Sequence, residues 1–448
     1  QISSYFVRAC DFHWMIPVII AIMVYACICY WIKTKNILPH IFAFTGPCLM
    51  IKTEKTAFFD KLAHPKKLLM AYASAGIILT ALSGIILTLL FLVSAVLTLI
   101  SPPEPVAVEN LFLIPGLNEY VPSTIAVWLS LVLALIIHEG GHGILSRAEN
   151  IKVKSTGLLA LVIPVGAFVE PDEDDVEKAK LGTKLRMFAA GITNNLVFGA
   201  VCLIIMCLLL GMVVPGAHPY VYGIYEGFPA EDSGVIPGTI ITAVNDVPVY
   251  SLDDISHAME GTKAGDVIRL NGEYKGESCS YDIALAAIPP ELASSALTAD
   301  AGFMGISFSE PKTVINSLTA LTKPASPAEA GASFLYFLVL PFKSLAGMET
   351  LSFITADSPD PAILSAPFVG FWGLIHFLFW SAWINIMLGT FNAIPIRAFD
   401  GGQMLREILR SAYKKRGLPE ENAFRLCSGI SLALIMLLVL SIIVPYLF

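Results

Sequence analysis

Hydrophobic positions in this chain fall in long blocks rather than at helical or strand-like intervals. Trp14–Ile32, Leu68–Ile100, Ser123–Ser146, Met187–Val214, Ser365–Phe391 and Phe424–Leu447 are each apolar almost throughout. Each is near or above the roughly 20 residues that a helix needs to cross a bilayer. A helix on the surface of a soluble protein would keep a polar stripe, and these do not. The pattern predicts a polytopic α-helical membrane protein with about six transmembrane helices. Two further apolar runs are too short to cross. Leu158–Glu170 is interrupted by Pro164 and Gly166 and is expected to be a short re-entrant β-hairpin. Phe334–Phe342 stops at Pro341 and Lys343.

Between about Pro215 and Phe308 the pattern changes. Short β-rich runs, Val221–Tyr225 and Thr239–Asn245, alternate with Gly-Asp and Asn-Asp turns. This predicts an inserted, mainly-β domain. The chain thus divides into 1–122 (two spans and their loops), 123–214, 215–308 (the insert), 309–410, and 411–448 (a basic segment and the last span).

Charge orients the spans. Residues 33–68, 147–186 and 397–425 each hold seven Lys or Arg, whereas 101–122 holds Glu104, Glu109 and Glu119 with no basic residue. The positive-inside rule puts the three basic segments in the cytoplasm and the insert outside it. Composition agrees with a membrane protein: 56% of residues are hydrophobic and 14% charged, with mean hydropathy +0.72. The net charge of −8 argues against nucleic acid as a partner. Eight scattered cysteines without a CxxC suggest neither a disulfide framework nor a cysteine zinc site. The sequence opens on Gln1 rather than Met, so an upstream segment is expected to be absent from it. No cleavable signal peptide is evident. The acidic run Glu170–Asp175 lacks the turn Gly and spaced Glu of a Ca²⁺ loop and is expected to be solvated.

Candidate chemistry sits inside the third span, in His138-Glu139-Gly140-Gly141-His142. Residues four apart share a helix face, so His138 and His142 can present two imidazoles to one metal ion. Glu139 lies one step round, where its carboxylate could take a proton from water at the metal. That is the arrangement of a zinc hydrolase. Polar groups of this kind are costly inside an apolar span and need a functional reason. A catalytic zinc wants a third protein ligand. Asp400, at the cytoplasmic end of an inward-running helix, lies at the depth expected for His138, which is about 22 Å into its own helix at 1.5 Å per residue. Taken alone, an aspartate before Gly401-Gly402 is as readily a turn residue. Asn195, in the run Gly191–Asn195 near the start of the fourth span, is expected either in the active-site wall or as interhelical glue.

HEGGH in an apolar helix, Asn392-Ala-Ile-Pro-Ile-Arg-Ala-Phe-Asp400-Gly-Gly about 250 residues later, and an insert between them resemble the site-2 protease family of intramembrane zinc metalloproteases. The likeness spans about residues 115–410. Pro115–Pro122 and Pro164–Glu170 resemble the branch that holds the eukaryotic sterol-regulatory enzyme and archaeal relatives. The insert, with Gly227-Phe-Pro-Ala230, Ser233–Ile241 and Gly302–Ile306, resembles the PDZ domains of membrane proteases.

The resemblance implies one Zn²⁺ per chain held by His138, His142 and Asp400, with Glu139 as general base. It implies that Asn392 helps hold the substrate backbone. It also implies that the hairpin around Gly166, Ala167 and Phe168 offers an edge strand to an unwound substrate. The expected substrate is a transmembrane protein already trimmed by another protease. The PDZ groove is expected along Val221, Tyr222, Gly223, Ile224 and Tyr225, serving peptide recognition or exclusion of bulk. The chain lacks the cysteine-rich insertion and serine tract of the animal enzyme, which favours a prokaryotic source and its cell membrane. Three rivals were weighed: an anchored ectoprotease, a transporter, and a catalytically inactive peptide-binding membrane protein. Oligomeric state and natural substrate are left open by the sequence.

Overall fold

A computed structural model describes residues 15–289, 301–342 and 349–447. Among them, five helices are long and apolar enough to cross a membrane. They are α3 (Lys66–Ile100), α4 (Ile125–Ala148), α6 (Leu181–Leu210), α11 (Phe371–Asn392) and α13 (Glu420–Ile443). The other α-helices are α1 (Met15–Thr34), α2 (Ala57–Leu62), α5 (Glu173–Lys178), α7 (Pro229–Asp232), α8 (Leu252–Ala258), α9 (Pro311–Thr322) and α10 (Pro327–Val339), with α12 described below. The first expected span falls on α1, whose apolar stretch Ile19–Thr34 is shorter than the other five. Among the described residues the count of long apolar helices is thus five, and Trp14, where the first expected span begins, lies outside them.

The helix ends have local causes. Thr124 opens α4 by accepting the Val127 N–H at 3.3 Å, which satisfies one of the donors that a helix start leaves unpaired. α11 begins six residues later than its apolar run, because Gly370 at φ +83° turns the chain just before Phe371. The acidic run is not merely a solvated loop. Asp172 caps α5 by accepting the Asp175 N–H at 3.1 Å, and pairs with Lys154 at 3.4 Å.

The chain separates into two compact units, 1–119 with 123–201 and 381–448, and 120–122 with 202–380. In the first, four strands form an antiparallel sheet in the order β1 (Phe42–Thr45), β2 (Cys48–Thr53), β3 (Val153–Leu161), β4 (Ile163–Pro171). β3 and β4 are the expected hairpin, turning at Val162 with φ +68°. β1 and β2 lie in the Lys-rich segment 33–68, read from charge alone as a loop. Gly157 on β3 is required by space, since a Cβ there would run into the Ile51 carbonyl of β2. Among the described residues β4 pairs only with β3 and is an edge strand, packed beside α4. Tyr25 of α1 pins the sheet: its hydroxyl accepts the Leu49 N–H at 3.0 Å and lies 2.9 Å from the Ala160 carbonyl.

Helix α12 (Asp400–Lys415) follows α11 through a tight turn and pairs with α13. Ile394 and Ile396 of that turn are buried with Leu434 of α13, against Leu87 and Phe91 of α3. Arg410 of α12 reaches Glu177 of α5 through two bonds, 2.9 and 2.6 Å. The Arg410 guanidinium holds the Glu177 carboxyl down at about 2.

In the second unit, residues 220–289 and 301–309 fold as a six-stranded sheet around a core of their own that includes Val221, Ile241, Leu270 and Ile283. The main strand order is β10 (Glu277–Ala284), β9 (Val267–Tyr274), β7 (Ile240–Val244), β6 (Tyr220–Ile224), β13 (Ile306–Ser309), and the sixth strand, β8 (Val247–Pro248), pairs with β7. The short strands β5 (Val214–Pro215), β11 (Ala286–Ala287) and β12 (Gly302–Phe303) lie outside it. Val221, Tyr222, Gly223 and Ile224 belong to β6, with β13 along one edge and β7 beginning at Tyr220 on the other. Tyr225 follows, its N–H donating to the Gly305 carbonyl at 2.8 Å. Among the described residues the outer strand on that side is β13, which arrives about 80 residues later in the chain.

Replacing Gly157 by Val should force β2 and β3 apart. Limited proteolysis should then cut within 40–55 or 158–166 at wild-type-resistant sites, with a thermal midpoint lowered by several degrees. A wild-type digestion pattern would show that the sheet tolerates the side chain.

Candidate metal centre

Two helices bring the expected ligands together. His138 and His142 lie on α4, and Asp400 is the first residue of α12. The His138 Nε2 and His142 Nε2 atoms are 3.3 Å apart, and Asp400 Oδ2 is 3.1 Å from the first and 3.2 Å from the second. Among the described residues this is the group of three whose ligand atoms could hold a metal ion. A tetrahedral ion with metal–nitrogen bonds of about 2.0–2.1 Å sets its donor atoms roughly 3.3 Å apart. The observed triangle is close to that.

The outer ring nitrogens decide what faces inward. His142 Nδ1 is 2.8 Å from the Met187 carbonyl. A carbonyl only accepts, so Nδ1 carries the proton. On the other ring, the amide of Asn195 donates to the Ala134 carbonyl at 3.3 Å. Its Oδ1 is thereby turned to His138 Nδ1 at 3.2 Å, and that nitrogen is the donor too. Both Nε2 atoms then point lone pairs at each other and at a carboxylate oxygen. Three acceptors converging in this way repel unless a cation lies among them, so the donor set fits a metal. The wall opposite is Gly191 of α6, where a Cβ would lie 2.8 Å from His138 Nε2 and closer still to His142 Nε2.

Glu139 stands apart from the donors. Its Oε2 accepts the Val169 N–H of β4 at 3.0 Å. It also lines a cavity of about 770 Å³, walled by Ile51, Phe58, Ile136, Leu158 and Ala167 among others. This is the chemistry of a metal-assisted hydrolase: a metal triad, an adjacent carboxylate outside the coordinating set, and a mostly apolar space beside it.

The family model described as peptidase family M50 matches residues 126–438, well over half of the chain. The chain belongs to peptidase family M50. A protein of Clostridium acetobutylicum named as a zinc metalloprotease is 25% identical over 348 residues, 70% of this chain and 94% of that one. The zinc metalloprotease RasP of Shouchella clausii is 25% identical over 264 residues, 56% of each chain. A membrane-bound transcription factor site-2 protease homolog of Arabidopsis thaliana is 32% identical over 89 residues, 20% of this chain and 17% of that one. This M50 chain is a zinc metalloprotease of the site-2 type and an integral membrane protein.

The other expected site residues are placed unevenly in this M50 protein. Asn195 is fully buried and holds the His138 ring. Both ends of its amide are engaged inside the α4–α6 contact, which makes it a positioning residue for that ring. Gly166, Ala167 and Phe168 lie on edge strand β4, opposite Leu159, Leu158 and Gly157. Ala167 reaches the Glu139 cavity. Asn392 ends α11, with its amide donating back to the Leu388 carbonyl at 2.9 Å. Sequence reasoning missed Gly191 and the Met187 carbonyl. A signal was present: Met187, Gly191 and Asn194–Asn195 recur at helical spacing on the face of α6 that meets α4.

Replacing Asn195 by Ala should weaken zinc binding about 10–100-fold, as loss of a group orienting a metal ligand typically does. Gly191→Val should abolish binding, since its side chain would occupy the space beside both imidazoles. Chelator competition on the purified protein measures both. Wild-type affinity in Gly191→Val would refute the packing described here.

Proposed function

We propose that the chain is an intramembrane protease that hydrolyses peptide bonds within or near the transmembrane segments of membrane-anchored proteins. In this reading His138, His142 and Asp400 hold the zinc ion and Glu139 is the general base. The observation that carries it is the convergence of three proton-free donor atoms beside Glu139, on a helix apolar enough to span a membrane.

Zinc, when bound, supplies a Lewis acid that polarises a peptide carbonyl and makes water easier to deprotonate. The protein's own groups do the rest. The outer hydrogen bonds to Asn195 and Met187 keep both imidazoles in the tautomer that can bind metal. Glu139, within its cavity and outside the triad, takes a proton from the attacking water and passes it to the leaving amine. A transmembrane helix hides its peptide bonds in its own hydrogen bonds, so the substrate has to be extended first. Edge strand β4 offers unpaired backbone groups for that purpose, and Gly166, Ala167 and Phe168 would meet the substrate there. Asn392 would add a contact to its backbone.

The charge pattern supports a site near the cytoplasmic face and residues 220–309 outside the cytoplasm. The strand order and separate core of that sheet support a PDZ-like reading, with β13 in place of β6 as the edge available to a peptide. Inserted in sequence between two candidate spans, the domain would act chiefly by excluding substrates that still carry bulky ectodomains. The rival reading, an inactive peptide-binding membrane protein, sits poorly with an intact Glu139 beside a complete donor set.

Glu139→Gln should keep zinc and fold while lowering cleavage of a model transmembrane substrate at least about 10²-fold, the lower range for general-base catalysis. Turnover near wild type would remove Glu139 from that role. Chelation should abolish cleavage in the wild type, and added zinc should restore it.

Sidedness has its own test. A cysteine at Asp253 should react with a membrane-impermeant thiol reagent in intact cells, and one at Lys414 should not. The reverse result would invert the orientation.

A further inference from the structure

Seven residues from the metal-binding layer, on each element that builds it, stands an ion-pairing group. Glu149 lies seven residues beyond His142, Lys184 seven before Gly191, and Glu407 seven beyond Asp400. Seven residues advance a helix by about 10.5 Å at 1.5 Å per residue and return it to within about 20° of the same face. The three groups therefore form a second layer, stacked below the first.

Lys184 Nζ is 3.1 Å from Glu407 Oε2, and both side chains are nine-tenths or more buried. Glu149 makes a separate tie, between α4 and α6. It accepts the Thr183 hydroxyl at 3.0 Å and pairs with Arg186, joining the end of α4 to the start of α6. A buried pair of this kind adds little net stability, because desolvation cancels much of the attraction. What it does supply is register, since sliding a helix parts the two charges and leaves Lys184 only the longer contact to Glu177, 3.9 Å, and Glu407 only Arg406 of its own helix, 3.1 Å. α6 and α12 run antiparallel past each other, with Gly191 and Asp400 at one level and Lys184 and Glu407 at the next.

Building on the zinc reading above, we infer that the Lys184–Glu407 pair is a positioning device that sets the height of Asp400 against the two imidazoles. Asp400 is the sole expected ligand outside α4, and it arrives on a helix that follows a turn. The turn fixes where α12 starts. The pair fixes where α12 sits along α6. A slip of one residue, about 1.5 Å, would carry the carboxylate out of the donor triangle.

Zinc affinity separates this from a merely structural role. Three variants are compared with wild type by chelator competition, thermal unfolding and steady-state cleavage. Glu407→Gln should bind zinc about 10–100-fold more weakly, with kcat lowered and KM unchanged. The double variant Lys184→Met with Glu407→Leu replaces the pair by apolar groups of similar size. It should unfold at or above the wild-type midpoint and still show the weaker zinc binding and lower kcat. It decides the matter if Glu407→Gln fails to fold. Wild-type zinc affinity and kcat in the folded double variant would overturn the inference. Asp400→Ala is the separate arm: tight, stoichiometric zinc in that variant would overturn the ligand set itself, whatever the pair variants do.

Discussion

The structure depends on three acceptors facing one another. His138 Nε2, His142 Nε2 and Asp400 Oδ2 stand 3.1–3.3 Å apart with no proton of their own to share once the outer nitrogens are committed. In water such a meeting would be mildly unfavourable. In a low-dielectric surround the repulsion grows several-fold, and so does the attraction of each group for a cation placed among them. The same arrangement that makes the apo form unfavourable makes a metal site. Everything close by serves to keep the three atoms there: Asn195 and Met187 fix the rings, and the turn at 393–399 delivers Asp400.

Convergence of that kind demands that backbones approach closely. At the crossing of α4 and α6, a Cβ at Gly141 would lie 2.8 Å from the Ala190 carbonyl and from Asn194 Nδ2. Asn194 is itself held by the Tyr72 hydroxyl at 2.8 Å. The second glycine of HEGGH is thus a packing residue. Gly140 has open space at its Cβ position and lines the Glu139 cavity instead. Adjacent glycines in one motif answer to different constraints, one to a neighbouring helix and one to an empty volume.

Much of this was legible in the sequence because its physics is local. Unbroken apolar blocks give spans, and spacing of four puts two imidazoles on one face. Pro164 and Gly166 in a short apolar run announce a hairpin. Asp400 needed a second argument, that of matched depth along two oppositely directed helices, and the donor triangle agrees with it. The misses are non-local. β1 and β2 hide in a lysine-rich stretch, where charge tells of sidedness but not of the strand pairing that β3 makes possible. The neighbours of the expected groove strand were not legible, because order within a sheet is not written in the strand itself. Nothing in Tyr220–Ile224 says that Ile306–Ser309 will return to cover its edge. The two readings of Asn195 stayed open in the sequence for a related reason: its neighbours on α4 decide whether an amide near a metal holds a ligand or meets a substrate.

One hydrogen bond joins the two halves of the proposed chemistry. An open strand edge is a liability in any protein, and more so near lipid, where an unpaired backbone N–H has no water to turn to. β4 is such an edge, and at Val169 its N–H is satisfied by the Glu139 carboxylate. The group that reads as the base is therefore also a cap on the strand that reads as the substrate platform. A carboxylate held on a strand edge cannot drift toward the histidines, which accounts for its standing outside the donor cluster although it neighbours His138 in sequence. Strand and base are aligned by a single contact, so a distortion of the hairpin is felt at the carboxylate without any change in α4. In a protein whose helices are held by close backbone packing, the sheet is the element through which the base and the cavity beside it share one geometry.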